Sequence, residues 1–309
     1  MFAASCPPTR WLCQTPFPHW VPHPEVWLLV AAIIGFGYYA SRVIQPHAIR
    51  AGGKPITTRQ RQCFAIAVAL LWFASDWPLH DLGELRLYSA HMVQHVLFTV
   101  VIPPLLLLAT PEWLARAIIG DGKFNRWFHR LARPIPAAVL FNILAGITHW
   151  AAIVNLAVTN GPFHYTIHAL LLGSGLLIWT PVCGPFPELH MTPQGKMVYI
   201  FLMSIVPTVP AAFLTASSGV IYQAYDHGPR LWGISVVEDQ QLAGAVMKIG
   251  EGLYLWAIIL VMMIRWLSTD DRRRKSEGDK FRGRLVTTVP APPSGHSTDT
   301  RTPPDYSQN

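Results

Sequence analysis

Residues 89–108 read SAHMVQHVLFTVVIPPLLLL, an apolar run long enough to cross a bilayer as a helix, yet carrying His91 and His95 four residues apart and the pair Pro103–Pro104. The whole chain shares its greasiness: 51% of residues are hydrophobic and 13% charged, and the mean hydropathy is +0.30. That balance is far from a soluble average and places the chain in a membrane. Working outward from the quoted run, stretches of about 20 apolar residues give spans near 25–44, 62–79, 87–109, 135–158, 162–182, 196–218 and 240–267. The expected fold is all-α, a polytopic membrane helix bundle of about seven transmembrane helices. Prolines in the third and sixth spans (Pro103, Pro104, Pro207, Pro210) free carbonyls for other partners.

Lysine and arginine set the orientation. Arg42, Arg50, Lys54, Arg59 and Arg61 lie between spans one and two, and Arg116, Lys123, Arg126, Arg130 and Arg133 between three and four. The opposite loops hold only Arg10, Arg86 and Arg230. The cation-rich side is cytoplasmic, so the N-terminus is expected outside and the C-terminus, with Arg272 to Lys275, inside. The net charge of +7 then belongs to membrane-flanking segments and calls for no nucleic acid. The bundle is expected over 25–267, after an exoplasmic N-terminal segment at 1–24 without the basic and apolar regions of a signal peptide. A polar cytoplasmic tail, 268–309, is expected to be disordered. Glu112 to Arg133 mixes aromatic and basic residues as interfacial helices do. Cys6 and Cys13 face an oxidising space and can pair, bind metal or pack, whereas Cys63 and Cys183 read as packing residues. Lys248 and Glu251 are expected to form an i,i+3 ion pair facing the bundle.

Sidedness places the histidines. His91 and His95 fall in the first turns of span three, His164 and His168 in those of span five, and His149 in the outer half of span four. His80 lies in the exoplasmic loop DWPLHDLGE, His227 in the loop YDHGPR, and Asp239 heads span seven from the same side. Each i,i+4 pair presents both imidazoles in one direction. Neutral imidazole avoids burying charge and suits Zn, Cu, Fe or Ni. The candidate metal set is therefore His91, His95, His149, His164 and His168, with His80, Met92 and Asp239 as possible additions. Interhelical hydrogen bonding and proton relay are the competing readings of the same histidines.

Four stretches carry a family resemblance: SAHMVQHVLFTVVIPPLLLLATPEW at 89–113, THW at 148–150, FHYTIHALLLGSGLLIWTPV at 163–182 and EDQQLAGAVMKIGEGL at 238–253. From about Val26 to Trp266 the chain resembles the multi-span CtaG-type cytochrome c oxidase assembly factors. The resemblance implies a non-enzymatic bacterial inner-membrane protein that helps to build haem-copper oxidase by supplying copper. Its implied partners are oxidase subunits or a periplasmic copper chaperone. It supplies no ligand set, so the residues above rest on helical geometry. A b-haem redox protein and a copper permease are the rival functions. A membrane di-iron oxygenase fits less well, because no HxxHH box accompanies the two HxxxH pairs.

A reporter fused after Lys275 should behave as cytoplasmic and one inserted at 220–230 as periplasmic. The reverse pattern would move every candidate ligand to the cytoplasmic side.

Overall fold

The computed structural model describes residues 20–205, 207–227 and 230–288, and every regular element among them is helical. In chain order these are α1 (Pro24–Arg50), α2 (Thr58–Ser75), α3 (Leu79–Leu85) and α4 (Tyr88–Ala109). Next come α5 (Glu112–Ile119), α6 (Lys123–Leu131), α7 (Pro134–Thr148), α8 (Ala151–Thr159) and α9 (Gly161–Cys183). The last are α10 (Pro193–Met203), α11 (Thr208–Ala216) and α12 (Val236–Arg272). Two compact units are distinguished, one ending at Met262 and one beginning at Met263. In the second, helix persists to Thr288 where a tail without structure is expected from Ser268, and Lys275 pairs with Asp271 at 2.9 Å, one turn away. The expectations for Cys6, Cys13 and residues 289–309 lie outside the described residues.

Among the described residues five helical stretches are long and apolar enough to cross a membrane: Pro24–Arg50, Tyr88–Ala109, Gly161–Cys183, Pro193–Ala216 and Val236–Arg272. A sixth results if α6 and α7, bent by 77°, count as one span. The second expected span does not reach this standard, because Arg59, Gln60, Arg61 and Gln62 occupy the first turn of α2. That turn is fixed by a capping box, with Gln60 N donating to Thr57 Oγ1 at 3.2 Å and Thr57 N to Gln60 Oε1 at 2.9 Å. The fourth expected span divides at His149–Trp150 into α7 and α8. The basic segment 112–133 forms the two short helices expected of it, α5 and α6. Large apolar side chains point outward along the spans, among them Leu28 (72% exposed), Ile135 (78%) and Leu253 (67%). Such a surface suits lipid as solvent.

Apolar burial does not drive helices together in lipid, so close approach and hydrogen bonds must. The pairing of α4 with α9 uses both. Pro103 has no N–H, which leaves the Thr99 carbonyl without its usual partner four residues on. The Trp179 indole N–H fills the gap, donating to Thr99 O at 3.2 Å. One turn earlier on α9, a Cβ at Gly175 would stand 2.7 Å from Pro103 Cγ and 2.9 Å from Thr99 O, so only glycine allows this contact. At the N-terminus of α4, Asp239 of α12 caps the helix by accepting from the backbone N–H of Tyr88 at 2.6 Å and of Ser89 at 3.1 Å. Further along, the α4–α9 interface continues into an apolar core of Val100, Phe141, Trp179, Tyr199 and Leu255.

Gly175→Val should lower the thermal midpoint of the detergent-solubilised protein, with overpacking costing about 1–3 kcal/mol. Gly173→Ala, where an added Cβ meets nothing within 4 Å, should leave the midpoint nearly unchanged. Equal midpoints for Gly175→Val and the parent would refute this account of the pairing.

Candidate metal centre

The α4–α9 pairing sets two i,i+4 histidine pairs face to face. Within a pair the ring centroids lie 4.4 Å apart for His91–His95 and 4.2 Å for His164–His168. Across the interface they lie 5.4 Å apart for His91–His164, 5.5 Å for His91–His168 and 5.7 Å for His95–His168. His149, at the end of α7, brings a fifth ring to 5.7 Å from His95. One nitrogen each from His91, His95 and His168 falls within a common 4.8 Å. With imidazole nitrogens sitting about 2.0–2.1 Å from a metal such as zinc, three donors this close can converge on one ion after small rotations.

The hydrogen-bond pattern gives a test of fit. Buried polar atoms are nearly always partnered, yet His91 Nδ1, His95 Nε2, His149 Nε2, His164 Nε2 and His168 Nε2 are buried with no hydrogen-bond partner. Five such nitrogens gathered in one cluster suit a cation. His149 shows how such a ring is held: Nδ1 donates to Ala145 O at 2.6 Å, leaving Nε2 as the nitrogen with a free lone pair. Only a small gap lies against the cluster, walled by Thr148, Val154, Val158 and Ile167.

The remaining sequence candidates have other places. Met92 belongs to an apolar cluster with Tyr88, Val154, Tyr222 and Tyr225. Asp239 spends its carboxylate on the N-terminus of α4, where it fixes the helix that carries His91 and His95. His227 is exposed. His80 does join the set, with its ring 5.7 Å from His164. It sits close to α4 because Gly83 lets α3 approach: a Cβ there would lie 2.6 Å from Gln94 Oε1 and 3.0 Å from His91 N. Gln94 Nε2 donates to Ala74 O at 2.6 Å and lies 3.3 Å from His80 Nδ1. Lys248 turns to Thr208 Oγ1 at 2.6 Å instead of pairing with Glu251, which is buried beside Trp179 and Tyr199.

Sequence reading missed the acidic rim. His23, just before α1, lies with Nδ1 3.1 Å from Asp76 Oδ1 and Nε2 3.2 Å from Asp81 Oδ1. Its ring is 5.1 Å from that of His80, whose Nε2 is 3.3 Å from Glu84 Oε2. The hydrogen bond to Asp81, reinforced by Asp76, holds the His23 pKa above its ordinary value against the opposing effect of burial. Asp76 also accepts from the indoles of Trp27 at 2.8 Å and Trp72 at 2.7 Å and from Trp77 N at 2.9 Å. The clustering of His80, Asp81 and Glu84 in one loop was a visible signal; the arrival of His23 from 53 residues earlier than Asp76 was not.

Residues 37–269 match a family described as cytochrome c oxidase caa3 assembly factor (Caa3_CtaG). The chain belongs to this family. Its similar curated proteins include an uncharacterised protein of Mycobacterium bovis and one of Mycobacterium tuberculosis, each 26% identical over 267 residues, covering 80% of this chain and 39% of the relative. One from Mycobacterium leprae is 24% identical over 262 residues, covering 78% and 38%. The chain thus spans about two-fifths of the length of these relatives. No solved structure matches it. In this Caa3_CtaG protein the matched region contains every member of the histidine cluster.

After copper loading in detergent, replacing His91 and His95 together by Ala should remove most of the bound metal, whereas Met92→Leu should keep it. Metal analysis of the two folded variants checks the assignment. Undiminished copper in the double variant would overturn it.

Proposed function

We propose that this assembly factor holds copper in the histidine cluster at the exoplasmic side of a bacterial inner membrane and supplies it to cytochrome c oxidase while that enzyme is being built. The single observation that carries the reading is the convergence of five imidazoles, each with a buried ring nitrogen that has no hydrogen-bond partner. A donor set of neutral imidazoles selects among zinc, copper, iron and nickel, and the family's client narrows the choice, since a haem-copper oxidase must acquire copper. The partners on this reading are oxidase subunits, with a periplasmic copper chaperone as the source.

Two observations weigh against the rival functions. A b-haem needs two imidazoles facing each other across a flat macrocycle, but here the rings touch one another and Phe98 covers His168 at 4.9 Å between centroids. A permease needs donors continuing toward the other side. Past His168 the interior turns apolar with Phe98, Ile102 and Leu71, which favours arrival and departure of the ion on one side.

A deletion strain should still make the oxidase polypeptides but lose most oxidase activity, with partial rescue by added copper. The His91→Ala, His95→Ala protein, shown by immunoblot to be present in the membrane, should fail to restore activity. Full activity with that variant would separate the cluster from oxidase assembly.

A further inference from the structure

The rim above the cluster holds an ion already, and that ion is a side chain. Both ring nitrogens of His23 face carboxylate oxygens, Nδ1 toward Asp76 at 3.1 Å and Nε2 toward Asp81 at 3.2 Å. With acceptors at both positions the ring carries two N–H groups and is an imidazolium cation. The two carboxylates are not equivalent. Asp76 has three further donors, from Trp27, Trp72 and Trp77, and stays satisfied without His23. Asp81 has only His23: it is 3% exposed, and its second oxygen, Oδ2, is buried without a partner. A buried carboxylate with half its acceptor capacity unused is costly unless a cation can use it.

Asp81 also shares a face of α3 with Glu84, three residues on. Glu84, 14% exposed at its side chain, is the more open of the two and is steadied by the His80 Nε2–H at 3.3 Å. His80 in turn lies 5.1 Å from His23 and 5.7 Å from His164, the outermost member of the cluster, whose Nε2 is unpartnered. The acidic pair therefore stands at the boundary between solvent and the imidazoles.

We propose that Asp81 and Glu84 form the capture point where an incoming copper ion first binds, and that the His23 imidazolium holds this point closed until the ion displaces it. The inference rests on the copper reading of the histidine cluster. One cation replaces another at Asp81, the second positive charge of copper(II) is met by the Glu84 carboxylate, and no electrons move. The released His23 swings away with α1's first residue while Asp76 remains anchored by the tryptophans. From the rim the ion passes to His164 Nε2 and then to His91, His95 and His168, each step exchanging one ligand for another. His80 acts in this step as a positioning residue, holding Glu84.

A gate and a capture ligand have opposite signatures, which gives the test. Copper(II) sulfate is mixed with the metal-free, full-length protein in detergent, and binding is followed by quenching of tryptophan emission, with total bound copper measured after desalting. His23→Ala should load severalfold faster than the parent, and Asp81→Asn at least tenfold slower. His23→Ala should reach the parent's final stoichiometry, because it removes no proposed ligand, and Asp81→Asn is read by its loading rate. His23→Gln, which keeps a hydrogen bond without the charge, should also load faster and guards against a folding defect in the alanine variant; thermal midpoints confirm that each is folded. Parental loading rates in His23→Gln and Asp81→Asn would overturn the proposal, as would a fall in the final stoichiometry of His23→Ala matching that of His91→Ala, His95→Ala. If instead that double variant binds as much copper as the parent, the cluster reading itself fails, whatever the rim variants do.

Discussion

The hydrogen bond from the Trp179 indole to the Thr99 carbonyl is the contact on which the remainder of the arrangement depends. It exists because Pro103 withdraws the backbone donor that Thr99 would otherwise have, turning a defect in one helix into an attachment for another. Gly175 brings the backbones close enough for the bond to form. With α4 and α9 locked at that depth, the helical repeat carries His91 and His95 on one side and His164 and His168 on the other to the same level. The metal candidate is thus a consequence of a proline–tryptophan pair two turns beneath it.

Charge is graded along the same axis. Carboxylates occupy the rim, where Asp76, Asp81 and Glu84 still have histidine or indole partners. Next to them come groups that can bind a cation without being charged themselves, and past those a largely apolar interior. This order follows from the cost of ionised groups in a medium of low dielectric. It also lets each level be weaker in electrostatic pull and richer in coordinating nitrogen than the one above.

Much of this was legible from spacing alone. The two HxxxH pairs, His149 and the proline pair announce themselves in one dimension, and a charge bias in the loops assigns them to one side. What spacing does not carry is the partner across an interface. Asp239 looked like a ligand because it shares a level with the histidines, yet the unpaired N–H groups at the start of α4 claim it first. Lys248 and Glu251 are one turn apart and of opposite charge, but Thr208 from another helix takes the lysine. The two expected spans that do not stand among the long apolar helices show a similar cause: the run at 62–79 lies in a helix that starts on a polar turn and ends at Ser75, and the run at 135–158 is broken at His149–Trp150. Disorder was expected after Ser268 from polarity, but pairs such as Lys275–Asp271 give a polar helix local support.

The cap that Asp239 places on α4 joins residues 151 positions apart in sequence. A chain emerging from the ribosome inserts all five clustered histidines long before it reaches Asp239. Until then the first turn of α4 lacks its anchor, and the helix bearing His91 and His95 can fray. The histidine cluster therefore gains this support only when α12 has entered the bilayer, so the order of synthesis sets when the cluster can take its settled form.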